Sequence, residues 1–206
     1  MSRKITLIVT RQDGPDQPPY KETFVIDYRP NMNVISALME IRKNPVNAKG
    51  ERVAHVAWEM SCLEEVCGAC SMVINGKARQ ACSALIDKLG DTITLEPMRT
   101  FPVVRDLIVD RSRMFEDLKK VKAWVPIDGT YDIGPGPRMP EVERQMAYEL
   151  SRCMMCGVCL EVCPNVSPRS KFMGAAIMNQ VRLHNTHPTG AMQKHERLEA
   201  IMGEAG

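Results

Sequence analysis

The sequence predicts an α+β chain in which a strand-rich N-terminal half precedes a helical C-terminal half. Two observations carry that expectation. Apolar residues recur with period two in the segments before Pro97 and with helical period after it, apart from one early helix. The eight cysteines fall into two groups of four, one in each half, each with its own spacing. With 206 residues, 44% of them apolar, the chain can fill one large domain or two small ones; the change of period favours two, 1–103 and 104–206.

Lys4 to Thr10 alternates apolar and polar residues, and Lys21 to Tyr28 repeats the pattern after the turn-rich GPDQPP, so the chain opens with a hairpin. Pro30 and Asn31 end the second strand. Asn33 can cap a helix from Val34 to Lys43, where Val34, Ile35, Leu38, Met39 and Ile41 fall at helical spacing before Pro45 stops it. Three further strands are expected at Ser71–Ile74, Lys77–Ala81 and Thr92–Leu95. The first two flank Asn75-Gly76, a strong hairpin signal because both turn residues need positive φ. A strand pair with one helix laid across it, completed by later strands, is the plan of a ubiquitin-like β-grasp.

Within this half Cys62, Cys67, Cys70 and Cys82 are spaced C-x4-C-x2-C-x11-C, the plant-type pattern for a 2Fe-2S cluster. Three ligands come from one irregular loop and the fourth from beyond the hairpin. Gly68 and Ala69 would let backbone amides approach the sulfides and raise the potential. Four unrelated buried thiols at this spacing would be a coincidence.

Beyond Pro97, Leu107, Val109, Met114, Phe115, Leu118 and Val121 predict one amphipathic helix from Val104 to Trp124. Ile127–Pro140 is dense in Gly and Pro and reads as a loop, either a linker or a surface packed against a partner. Val142, Met146 and Leu150 mark a helix leading into the second cysteine group, and Ser170–Asn185 and Ala191–Met202 are expected as two more. His55, His184, His187 and His195 read as surface or packing residues, because the cysteines form complete patterns without them.

The second group, Cys153, Cys156, Cys159 and Cys163 followed by Pro164, has the spacing C-x2-C-x2-C-x3-C-P of cubane-type clusters. In two-cluster proteins the fourth cysteine of this run serves the other cluster, so three thiols would hold one cluster and Cys163 would help to hold a second. Zinc sites close with four ligands in two pairs and have no use for the third step or the Cys-Pro. A disulfide framework requires an oxidising compartment, and Ile5–Val9 is too short for a signal-peptide core. No apolar run approaches the roughly 18 residues of a membrane span, so membrane contact would be peripheral or through a partner. A formal net charge of +2 gives no field directed at nucleic acid. The fifteen methionines suit core and interface filling. The expectation is an electron carrier.

A β-grasp domain with the first cysteine group, a helical domain with the second, and the segments RDLIVDRSRMF and IDGTYDIGPGPRMP together resemble the iron-sulfur subunit of succinate dehydrogenase or fumarate reductase over the whole chain. The resemblance is closest to the bacterial branch that uses menaquinone. It implies a 2Fe-2S cluster on Cys62, Cys67, Cys70 and Cys82, a 4Fe-4S cluster on Cys153, Cys156 and Cys159, and a 3Fe-4S cluster on Cys163 within an α-helical ferredoxin domain. It also implies an FAD-containing flavoprotein partner and cytochrome b anchor subunits. Pro164 would line the quinone pocket, and the subunit would sit at the cytoplasmic face of the cell membrane with a place in the tricarboxylic acid cycle. Ubiquinone-using relatives carry a tryptophan pair where Ser167 and Pro168 stand here. The family pattern needs seven cysteines in the helical half. The sequence accordingly reads as a subunit without its C-terminal segment, or as a divergent one in which Cys163 closes a single 4Fe-4S cluster.

Two readings compete with a complex-bound relay. A free ferredoxin-like carrier with one 2Fe-2S and one 4Fe-4S cluster would ordinarily be acidic, and this chain is near neutral. A structural metal module would suit zinc but not the plant-type loop.

Overall fold

A computed structural model of the chain describes residues 3–126, 137–167 and 169–203. It divides into two compact units, Met1–Asp110 and Arg111–Gly206. Most of the Gly- and Pro-rich segment expected to be a loop, 127–136, and Pro168 lie outside the described residues.

The first unit is a β-grasp. Strand β1 (Lys4–Arg11) pairs antiparallel with β2 (Tyr20–Asp27), and helix α1 (Val34–Lys43) follows. Strands β3 (Ser71–Ile74) and β4 (Lys77–Gln80), the short helix α2 (Ile86–Leu89) and β5 (Thr92–Glu96) complete a sheet of order β2-β1-β5-β3-β4. Within it β5 runs parallel to β1 and antiparallel to β3. Alternation along β1 buries Ile5, Leu7 and Val9 beneath Val34, Ile35, Ala37, Leu38 and Ile41 of α1, with Phe24, Met72, Ile74, Ile93 and Leu95 filling the same core. Each large aliphatic side chain sealed there contributes roughly 1.5–3 kcal/mol. Asn33 caps α1 as its sequence position predicts: its side chain accepts from Ser36 N at 2.8 Å while Ser36 Oγ accepts from Asn33 N at 2.9 Å. Asn75 and Gly76, with φ of 48° and 75°, make the tight turn between β3 and β4.

The expected Val104–Trp124 helix is corrected. Its first part forms a small hairpin, β6 (Val103–Arg105) and β7 (Ile108–Val109), and helix α3 covers only Ser112–Lys120. The cause is long-range. Arg11 falls on the inward-facing register of β1, fully buried, and its Nε donates to the equally buried Asp106 at 2.8 Å. Asp106 also accepts from Gln12 N and Ala57 N, at 3.1 and 2.7 Å, and takes a left-handed φ of 47°. These bonds hold it in a turn, and Leu107 joins the first unit's core. The hairpin therefore belongs to the first unit, and the division lies after Asp110 rather than after residue 103.

In the second unit α3 is followed by α4 (Glu141–Ser151), the short α5 (Val158–Glu161), α6 (Ala175–Thr186), a 3-10 turn (Gly190–Gln193) and α7 (Lys194–Ile201). Val121, Met173, Ile177 and Val181 form one buried apolar cluster of this unit. The helix expected from Ser170 starts five residues later. Arg113 of α3 donates to the carbonyls of Ser167, Ser170 and Phe172 at 3.0–3.1 Å and so holds the segment before α6 in an irregular path. Gly174 then turns it with φ 89°, and a Cβ there would lie 2.9 Å from Leu160 Cγ. Helix α4 forms as expected, but Val142 and Met146 of its stripe are exposed. Buried Arg197 of α7 donates to the carbonyls of Lys122, Trp124 and Gly190 and to Asn185 Oδ1.

Candidate metal centre

The β3–β4 hairpin creates one half of the first site. Cys70 directly precedes β3, and Cys82 lies two residues beyond β4, so strand pairing sets them side by side: Ala81 N donates to Cys70 O at 3.1 Å and Cys82 N to Cys70 Sγ at 3.5 Å. Asn33, already the cap of α1, donates through Nδ2 to Cys82 O at 2.8 Å, which ties the helix start to the cysteine. Both thiols are buried, and burial pushes Cys70 up to about 11. A bare thiolate is disfavoured there, whereas iron would supply the compensating positive charge.

The loop before β3 supplies the other half. Glu64 N and Val66 N donate to Cys62 Sγ at 3.4 and 3.5 Å, and Cys62 N and Ala69 N donate to Cys67 Sγ at 3.5 Å each. Both sulfurs are half-buried. The amides of Glu64 and Val66, with help from the neighbouring Cys67, draw the Cys62 thiol down to about 7. Two pairs thus emerge, Cys62 with Cys67 at the outer side and Cys70 with Cys82 at the core. The donor set is that of a binuclear cluster, with two sulfurs for each iron. Among the described residues no three Cys, His, Asp or Glu side chains gather as a single-ion site requires.

In the second unit Cys153 follows the end of α4, and Cys156 sits before Gly157, whose φ of 85° starts α5. Cys159 lies within α5 and Cys163 just beyond it. All four are half-buried. The Cys159 thiol is raised, first by burial and further by the neighbouring sulfurs of Cys156 and Cys153, while the amide of Ala176 in the first turn of α6 acts in the opposite sense. Cys159 therefore lies near the sulfurs of Cys156 and Cys153 and against the first-turn amide of α6, a helix N-terminus that favours negative charge. Cys163 sits at the far end of α5, where its amide donates to Leu160 O at 3.3 Å.

The 2Fe-2S iron-sulfur cluster binding domain matches residues 6–116. The succinate dehydrogenase iron-sulfur subunit of Bacillus subtilis is 72% identical over 204 residues, which is 99% of this chain and 81% of the relative. The chain belongs to the family of succinate dehydrogenase and fumarate reductase iron-sulfur subunits. A fumarate reductase iron-sulfur subunit from Wolinella succinogenes is 30% identical over all of this chain and 85% of its own length. In fold, a chain of the Mycobacterium smegmatis Sdh1 complex superposes with a TM-score of 0.72, at 24% identity over 97% of this chain and 84% of the other. Family membership makes the chain a component of an oxidoreductase, and the matched domain is one that binds a 2Fe-2S cluster.

The structure places four of the cysteines in each unit. Pro164 is exposed. His184 Nδ1 pairs with Gln180 O at 2.8 Å and His187 Nδ1 accepts from Thr189 N and Gly190 N, so these two rings serve the backbone. Sequence reasoning missed the supporting residues. The sequence marks Asn33 as a cap but carries no sign of its bond to Cys82, and Arg11, Asp106 and Arg113 act over separations too long for any local pattern. A basic residue on the inward register of an otherwise apolar strand, as Arg11 is, was the one available signal.

Proposed function

We propose that this chain is the electron-transfer subunit of a succinate:quinone oxidoreductase. It relays single electrons between the FAD of a flavoprotein subunit and a quinone, menaquinone by resemblance, at a cytochrome b anchor on the cytoplasmic face of the membrane. The observation that carries the reading is the pairing of four sulfurs, two and two, on the β3–β4 hairpin and its preceding loop, with a second, separate cysteine set in a helical unit. Cys62 and Cys67 would hold one iron of a 2Fe-2S cluster and Cys70 and Cys82 the other. Cys153, Cys156 and Cys159 would take three corners of a 4Fe-4S cluster, Cys163 would take one iron of a 3Fe-4S cluster, and Pro164 would border the quinone. The 2Fe-2S domain corresponds to the first unit and the helical ferredoxin domain to the second. Peripheral attachment agrees with the described helices, none of which is long and apolar enough to cross a membrane.

Bound clusters supply the one-electron redox chemistry. The chain's own groups set its conditions. Plant-type 2Fe-2S centres lie near roughly −400 mV, too reducing to accept electrons readily from succinate. The amides of Cys62, Glu64, Val66, Ala69 and Cys82, all directed at sulfur, stabilise added negative charge and raise that potential. Packing Cys70 and Cys82 against the sheet core keeps water from the inner sulfurs.

Electron paramagnetic resonance of the reconstituted chain, alone and with its flavoprotein and anchor partners, tests the reading. A reduced 2Fe-2S signal that is lost or strongly altered in Cys67→Ser is expected, together with succinate-dependent quinone reduction in the complex. A Cys67→Ser protein with an unchanged signal and potential would remove the ligand assignment, and with it the relay.

A further inference from the structure

The loop between Cys62 and Cys67 holds two non-glycine residues in left-handed conformations, Leu63 at φ 62° and Glu65 at φ 59°. A side chain makes that conformation unfavourable, whereas glycine adopts it freely, as Gly68 does in the same loop at φ 72°. At the main chain the left-handed turns have a clear result. They aim the amides of Glu64 and Val66 at the same atom, Cys62 Sγ, in the manner of an anion-binding nest. Glycine at position 65 would build that nest with less strain. The glutamate must therefore be judged by what its side chain alone can do.

That side chain reaches across the site. Glu65 Oε1 accepts from Ser83 Oγ at 2.8 Å, and Ser83 directly follows Cys82. The same hydroxyl lies 3.3 Å from Gln80 O at the end of β4. One hydrogen bond thus joins the loop carrying the outer pair of sulfurs to the strand end carrying the inner pair, and it sets a carboxylate at the exposed rim.

We infer that Glu65 is a positioning residue of the 2Fe-2S site: it clasps the cysteine loop to the Cys82 strand end and sets the potential through its charge. The inference rests on the ligand reading given under Proposed function. The clasp restrains Val66 so that its amide stays on Cys62 Sγ and slows opening of the loop. The negative charge opposes the added electron and holds the potential below what the five amide donors alone would give.

Three variants of the full chain, each reconstituted with iron and sulfide, separate clasp from charge. The readouts are the midpoint potential, the rate of cluster loss to a ferrous-iron chelator, and thermal stability. Glu65→Gly should lose its cluster about threefold to tenfold faster, the range expected for one hydrogen bond, and shift to higher potential, although its backbone strain is relieved and its melting temperature does not fall. Glu65→Gln keeps an acceptor for Ser83, so its loss rate should stay near the parent's while its potential rises. Ser83→Ala should lose its cluster faster with little change in potential. If Glu65→Gly retains both the parent's loss rate and its potential, the inference is wrong. A faster loss accompanied by a matching fall in melting temperature would reduce Glu65 to a structural residue and also overturn it. If the parent chain itself shows no 2Fe-2S spectrum after reconstitution, the ligand reading fails and the inference falls with it.

Discussion

The two cysteine sites are built by different means. In the first unit, regular structure does the placing: a hairpin turn aligns Cys70 with Cys82, the α1 cap grips the Cys82 carbonyl, and the core of β1, α1, β3 and β5 lies directly behind. In the second unit the cysteines occupy a loop and a single-turn helix, all half-buried, and the surrounding chain is fixed by arginines that donate to carbonyls. Arg197 has neutral acceptors, and burial lowers its pKa. A fold that preforms its site needs the cluster less than one whose site is pinned by side chains. The first site should therefore be a property of the sheet, and the second should depend on its ligand.

Removing iron breaks the comparison most directly, and it should produce the largest effect. A site that is not assembled in the unfolded chain returns its binding free energy as folding free energy. Stripping iron from the reconstituted protein should abolish hydrogen-exchange protection across α6 and α7 while β1 and β5 remain protected. Equal loss in both units would mean that the sheet does not preform its site.

Next in size is the buried pair of the first unit. Asp106→Ala leaves the Arg11 guanidinium buried without its main counter-charge and strips Ala57 N of its acceptor, so a loss of about 3–5 kcal/mol is expected in that unit. Chemical denaturation followed through the 2Fe-2S absorbance measures it. A loss below 1 kcal/mol would show that Glu22, 2.5 Å from Arg11, compensates by itself.

Asn33→Ala should cost about 1–2 kcal/mol through the lost cap, and it should also disturb the cluster spectrum because the bond to the Cys82 carbonyl goes with it. Asn33→Asp keeps the cap acceptor but removes the amide donor. If its spectrum matches the parent's, the helix cap and the cysteine are not coupled.

What the sequence made legible follows the same contrast. The Asn75-Gly76 turn, the Asn33 cap and the period-two alternation of β1 are local signals, and each leads directly to structure. The β6–β7 hairpin was hidden because Asp106 is held by Arg11, far away in sequence, and the delayed start of α6 was hidden because Arg113 takes its preceding carbonyls. The parallel pairing of β1 with β5 is likewise a long-range fact. The amide nest at Cys62 depends on left-handed Leu63 and Glu65, residue types that give no sign of that conformation. Local chemistry could be read, while the interactions that orient it could not.

The smallest expected effect concerns acid and belongs to the second unit alone. His184 is lowered from its ordinary value, first by burial, which the bond to Gln180 O opposes, and further by the nearby Arg197 and His187. A histidine depressed in the folded state binds more protons when unfolded, so stability must rise with pH where the unfolded residue titrates. The contribution is present above the unfolded pKa of about 6.5 and is lost as pH falls through the lower folded value. Melting of the second unit should therefore shift to lower temperature between pH 7 and pH 5. Glutamine at position 184 cannot titrate, so His184→Gln should flatten that dependence while leaving the first unit's transition unchanged. If the slope persists in His184→Gln, the acid sensitivity of the second unit has another source.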